Sequence, residues 1–155
     1  MSIQMFGCCD DHSIPQGSIP LPILTGSWFT PLPEGHIRVG ISRGVPRRFP
    51  AGYRMYRRLA PGRWLNSVPE AEYCRRYHDE ILAPLDPQRV LEELLAFAQG
   101  HVPVLCCFER AGSGLWCHRS IVSAWLGEAL GIAVPELGFE GPLDQHPLLP
   151  QGSLP

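Results

Sequence analysis

Hydrophobic positions along the chain fall into short blocks separated by turns rich in Gly, Pro and Ser. The run LPILTGSWF (21–29) is apolar and ends in Thr-Gly-Ser, which predicts a strand leading into a polar turn. HIRVGIS (36–42) predicts a second strand, closed by Ser42-Arg43-Gly44. Between 45 and 64 the pattern is broken by Pro46, Pro50 and Pro61, so only a short helix or turn is expected there. Ser67 and Glu70 stand at capping-box spacing around Pro69, and Tyr73, Tyr77 and Ile81 follow at helical intervals. Asp86-Pro87 opens another helix whose apolar face is Val90, Leu91, Leu94, Leu95 and Ala98; Gly100 ends it.

VPVLCCF (102–108) is nearly continuous in apolar residues, the pattern of a strand buried on both faces of a parallel sheet. Cys106 and Cys107 then point to opposite sides of that sheet. After the loop AGSGLW, SIVSAWLGEAL predicts a helix with Ile121, Val122, Trp125, Ala129 and Leu130 inward and Gly131 as its stop; IAVPELGF supplies a last edge strand. The order β, β, α, α, β, α, β gives an α/β fold: a compact, Rossmann-like three-layer sandwich on a mostly parallel sheet of about four to five strands. One domain over 21–141 is expected, flanked by a Pro/Gly-rich tail at 1–20 and a Pro-rich tail at 142–155 that share the near-identical hexapeptides PQGSIP and PQGSLP.

Length and hydropathy agree with this picture. At 155 residues and 45% hydrophobic, the chain is long enough to bury one core. No apolar run approaches a bilayer span, and the start MSIQMFGCCDDHSIPQ lacks a basic segment followed by an apolar one, so a cytoplasmic location without membrane contact is expected. Six cysteines, as Cys8-Cys9, Cys74, Cys106-Cys107 and Cys117, are poorly spaced for staples and are read as thiols in a reducing compartment.

Charge adds one sharp feature. Every basic residue is Arg, so Schiff-base and P-loop lysine chemistry is excluded. No acidic residue occurs between Glu34 and Glu70, a window that holds Arg38, Arg43, Arg47, Arg48, Arg54, Arg57, Arg58 and Arg63 among Phe49, Tyr53, Tyr56 and Trp64. Interleaved cations and aromatics suit a nucleic-acid backbone with stacked bases, and Arg47, Arg48, Arg54, Arg57 and Arg58 are the residues that would serve. Pairing of the same arginines with the later acidic helices is the bland alternative.

Three predicted strands end in polar residues: Thr25-Gly26-Ser27, Ser42-Arg43-Gly44 and Glu109-Arg110. Cys117-His118-Arg119 follows at a helix start. In a parallel sheet all four sets meet at one rim, where ligands bind. A helix N-terminus favours an anion there, and arginine forks grip phosphate or carboxylate. The expected ligand is therefore a small anion such as phosphate, a nucleotide or a carboxylate, held by Arg119, Arg43, Ser42, Gly44, Thr25 and Ser27. Any catalysis falls to Cys117, whose thiolate the helix end stabilises, with His118 and Glu109 as acid or base. Such an enzyme would be a hydrolase or transferase acting on an anionic substrate.

Two rivals use the same stretch. Cys107, Cys117 and His118 could ligate zinc in a zinc-stabilised interaction domain, with a fourth ligand drawn from Cys8, Cys9 or His12; the spacing matches no closed site, so no metal is favoured. Cys107 and Cys117 could also form a redox disulfide. Nothing in the sequence requires a cofactor, and oligomeric state is not legible.

The ordered set Thr-Gly-Ser-Trp-Phe (25–29), Ile-Ser-Arg-Gly-Val-Pro (41–46), Leu-Ala-Pro (59–61), Cys-Phe-Glu (107–109) and Cys-His-Arg (117–119) resembles domain-of-unknown-function family 488 across 21–139. The resemblance implies a compact Rossmann-type α/β domain with Ser42-Arg43-Gly44, Glu109 and Cys117-His118-Arg119 on signature positions, and it implies no particular reaction. The chain departs from the family pattern in a longer loop between Glu109 and Cys117 and in an extra Gly before the aromatic pair of the first strand.

Overall fold

The structure, a computed structural model, describes residues 23–139, 141 and 146–150. The expected N-terminal tail, with Cys8, Cys9, His12 and the first hexapeptide, lies outside the described residues, as does most of the C-terminal one.

Four strands form one all-parallel sheet in the order β1-β4-β2-β3: β1 Leu24–Ser27, β2 His36–Gly40, β3 Arg54–Met55 and β4 Val102–Cys107. The register sets Ser27 beside Cys107 and Gly40 beside Cys106, so the carboxyl ends of β1, β4 and β2 share one rim. β3 was not anticipated. Its two residues pair with Val39 and Gly40 in a stretch whose prolines allow no longer strand. The expected last edge strand is reduced to one parallel bridge, Thr25 with Glu136, secured by Thr25 N–H to Pro135 O at 2.9 Å and Leu137 N–H to Thr25 O at 2.8 Å.

Three helices, α1 Glu70–Arg76, α2 Pro87–Ala98 and α3 His118–Leu130, complete a compact α/β fold. The π-helical turn Tyr77–Leu82 continues α1. The capping box at Ser67 does not form: Ser67 Oγ donates to Trp64 O at 3.0 Å, closing the 3-10 turn Arg63–Asn66, and α1 begins without a side-chain cap. Asp86 does cap α2, accepting from Gln88 N–H at 3.3 Å, and Gly131 in the left-handed region (φ 65°) stops α3. Ala129, expected inward, is exposed.

The helices pack on one face of the sheet. Val39, Leu105, Cys107 and Ile41 meet Tyr77, Val90, Leu94, Ile121, Val122 and Leu126 there. Burying each such side chain contributes roughly 1.5–3 kcal/mol, which makes this face the main source of stability. The sandwich's other outer layer is loop rather than helix. Trp28 is fully buried over Val104 and Cys106, with Phe49 and Tyr53 packed edge-on at ring distances of 5.0 and 5.3 Å. Gly40 makes room for that tryptophan, because a Cβ there would lie 2.4 Å from Trp28 Cζ2. Cys106 and Cys107 face opposite clusters, as alternation requires.

Residues 146–150, within the expected C-terminal tail, touch the domain. Leu148 is buried in the main core, and its carbonyl accepts from Cys117 N–H at 3.0 Å. With no periodicity in so short a segment, its burial was invisible in the pattern. Among the described residues no helix is long and apolar enough to cross a membrane.

Candidate active site

β4 delivers Cys107 to the rim, and the chain then turns outward through Phe108 and Glu109. Gly112 and Gly114, both at positive φ (80° and 77°), bend the exposed loop so that it returns at Cys117. Cys117 is the N-cap of α3, with an extended backbone (φ −148°, ψ 143°). Its carbonyl accepts from both Ser120 N–H (3.0 Å) and Ser120 Oγ–H (2.7 Å). Its side chain makes no capping bond and is left for the rim.

Three reactive side chains meet there. His118 Nε2 lies 2.9 Å from Ile41 O and 3.4 Å from Cys107 Sγ. The carbonyl can only accept, so Nε2 carries a proton, and Nδ1 faces Cys107 and Cys117 Sγ at 3.8 and 3.9 Å. Tyr77 backs the imidazole at a ring distance of 5.4 Å. Cys107, Cys117 and His118 are all buried, and their ligating atoms lie within 4.8 Å of one another. The Cys107 thiol and the Glu109 carboxyl both interact electrostatically with the Cys117 sulfur.

These contacts divide the protons unequally. Burial works against a charged Cys117, but the Cys107 hydrogen bond, the charge and hydrogen bond of His118, and the Arg119 charge outweigh it and hold its pKa well below the thiol value of 9.0. Burial pushes Cys107 well above that value, with its role as donor to Cys117 adding to the rise. His118 is raised despite burial, because the Cys117 charge and the Ile41 carbonyl favour the imidazolium. Burial and the Cys117 charge together push Glu109 up to about 7. The contacts favour a thiolate–imidazolium pair, with a carboxyl that exchanges its proton near neutrality.

The group opens onto a cleft of about 310 Å³. Ser42, Arg43 and Gly44 form one lip, Phe108, Glu109 and Leu115 the other, and Tyr73 and Trp116, packed edge-to-face at 4.6 Å, form a wall between. Trp28 Nε1–H donates to Ser42 Oγ at 2.9 Å, and Ser42 Oγ–H donates to Gly44 O at 2.6 Å, which fixes the Ser-Arg-Gly turn. Arg43 is exposed, with Nη1 donating to Pro61 O at 3.1 Å. Asn66, Tyr73 and Trp116 were not anticipated here. The regular spacing of Tyr73 on its helix marked it only as core.

The structure brings Cys117, His118, Glu109, Ser42, Arg43 and Gly44 together at the cleft and leaves three expected residues out of it. Arg119 is wholly buried, and its fork is committed to Glu136, Nε to Oε2 at 3.1 Å and Nη2 to Oε1 at 2.7 Å. Its Nη1, without a hydrogen-bond partner, stands 4.0 Å from Glu109 Oε2. Thr25 and Ser27 are buried too. Thr25 Oγ1–H donates to Glu136 Oε2 at 2.6 Å, and Ser27 Oγ–H donates to Phe108 O at 3.3 Å. On a strand flanked by a neighbour, polar side chains serve the protein's own carboxylate and carbonyl groups. Glu136 and His146, which close this network with Nε2 to Oε2 at 3.2 Å, carried no motif.

The arginine window divides. Arg58 pairs with Glu93 on α2 at 3.0 Å, the interaction expected of the bland reading. Arg54 Nη1 donates to Tyr53 O, Arg57 Nη1 to Arg43 O, and Arg47 and Arg48 are exposed. The four described cysteines are free thiols.

A family model described as the active DUF488-N3 subclade, DUF488-N3a, matches residues 30–130. No curated protein matches the chain. No solved structure matches it either.

Proposed function

The chain belongs to domain-of-unknown-function family 488, and for it we propose a thiol-dependent hydrolase or transferase that acts on a small anionic substrate in the cleft above Cys117. The observation that carries this reading is the Cys117 sulfur at the α3 N-terminus, ringed by Cys107, His118 and Glu109 where the cleft ends. Arg43 and the Ser42–Gly44 turn hold the substrate's anionic group at the lip. The Cys117 thiolate attacks an electrophilic centre and forms a covalent bond to it. Glu109, protonated near neutrality, gives its proton to the leaving group, which departs with the electron pair of the broken bond. As carboxylate, Glu109 then takes the proton of water or another acceptor, whose oxygen or nitrogen displaces Cys117 as thiolate. His118 holds the positive charge that balances the thiolate in its resting state, and Arg119 supports it from beneath.

Incubating the protein with electrophilic phosphate and carboxylate esters and weighing it intact tests this. An adduct on Cys117 that Cys117→Ser lacks and that accumulates in Glu109→Gln supports the reading; no adduct with any ester sinks it.

A second reading uses the same atoms. Cys107 Sγ, Cys117 Sγ and His118 Nδ1 form a three-ligand set, and His118 gives its other N–H to a backbone carbonyl as ligating histidines do. Stoichiometric zinc in protein purified without added metal would replace the covalent reading with a metal-bound one.

A further inference from the structure

The lips of the cleft carry side chains that the chemistry at Cys117 does not use. Ser27 and Cys107 are register partners, so the strands carry Phe29 and Phe108 out side by side just beyond the rim. Phe29 is 43% exposed and Phe108 42%, and the rings meet edge-to-face at 6.3 Å. The Arg110 guanidinium lies over Phe29 at 5.1 Å. Leu115, 60% exposed, lines the same lip. Large apolar side chains clustered at one edge of a soluble domain mark a binding surface.

The opposite lip is cationic. Arg43 is exposed there, with one guanidinium nitrogen on Pro61 O, and Arg57, exposed just outside the cleft, donates one nitrogen to Arg43 O. Both belong to the window without an acidic residue between Glu34 and Glu70. An aromatic platform on one side of a cleft and arginines on the other complement a ligand that alternates flat rings with negative charges.

We infer that this surface binds single-stranded nucleic acid: a base stacks on the Phe29–Phe108 platform, phosphates lie on Arg43, Arg57 and Arg110, and the neighbouring nucleotide enters the cleft. Unpaired bases are required, because a duplex hides the ring faces that an aromatic platform reads. A strand rather than a free nucleotide is required, because the platform extends past the cleft, whose volume of about 310 Å³ takes little more than one nucleotide. The inference names the substrate class for the site proposed above and rests on that reading.

Fluorescence anisotropy with Cys117→Ser protein and a labelled oligonucleotide of about 12 nucleotides, single-stranded and as duplex, tests it. The single strand should bind at least about tenfold more tightly than the duplex, and binding should weaken as salt rises. Phe29→Ala/Phe108→Ala should cost about tenfold or more, and Arg110→Gln and Arg43→Gln should flatten the salt dependence. Equal affinity for duplex, an unchanged affinity in the double alanine variant, binding of a mononucleotide as tight as that of the strand, or no binding at all overturns the inference. Alkylation of Cys117 in the protein with Phe29 and Phe108 intact, set beside its strand binding, separates the two readings. A reactive thiol with no strand binding removes only the nucleic-acid assignment, whereas strand binding beside an inert thiol removes only the covalent chemistry.

Discussion

Arg119 grips both carboxylate oxygens of Glu136, at 2.7 and 3.1 Å, and turns its remaining nitrogen toward Glu109 at 4.0 Å. One buried cation thus joins the segment after α3 to the Glu109 side of the cleft. The guanidinium works on the site through Glu109 and Cys117 rather than by touching a ligand.

That pair predicts an acid limb in stability. Burial opposes the Glu136 charge, but hydrogen bonds from His146, Arg119 and Thr25 and the Arg119 charge hold its pKa down at about 2, from an ordinary 4.5. The stabilisation, about 3 kcal/mol, is therefore complete above pH 4.5 and is lost as pH falls toward 2. Glu136→Gln removes that limb and costs about 3–5 kcal/mol at neutral pH, since it leaves Arg119 charged and buried without its partner. Urea unfolding of both proteins across the acid range reads the two slopes.

Glu109 predicts the opposite sign. Its pKa is raised to about 7, so the fold prefers the neutral carboxyl. Below pH 4.5 its protonated form is fully compatible with the native state; as pH rises from 4.5 to 7, folding loses stability, because the unfolded chain ionises first. Glu109→Gln should erase this loss, raise Tm at alkaline pH, and abolish any activity limb near pH 7. Thermal melts that show the same slope in both proteins would assign the limb to another group.

Gly40→Ala tests the aromatic layer. The added Cβ would lie 2.4 Å from Trp28 Cζ2 and 2.5 Å from Met55 Sδ, so the ring must shift and loosen its hold on Ser42. A cost of about 1–3 kcal/mol is expected, with reduced near-ultraviolet dichroism from displaced tryptophan. Gly44→Ala, where no atom lies within 4 Å, is the control and should be close to neutral.

The fold was legible where side-chain period and burial coincide. VPVLCCF announced β4 because both faces of the sheet are covered, and Asp86-Pro87 announced α2 because cap and first turn are local. Ser67 misled because its hydroxyl had a nearer acceptor in Trp64 O. That Cys117, His118 and Glu109 meet at one rim was legible from the polar break between strand and helix. Arg119 was expected to hold the anion at the rim; its burial was not legible, since its partner Glu136 lies 17 residues away in a segment without a motif. Leu148 and His146 were not legible at all, because their partners Cys117, Thr25 and Glu136 are not local to them in sequence.

The proposed chemistry depends on Cys117 resting as a thiolate. The rate of its alkylation by iodoacetamide, followed by mass spectrometry of the Cys117 peptide from acid to alkaline pH, measures this directly. Cys117 should be labelled ahead of Cys107, Cys106 and Cys74, with a midpoint well below 9.0 that rises when Cys107 is replaced by Ala. A Cys117 that stays unlabelled until the pH reaches 9.0, or that reacts after Cys107, would contradict it.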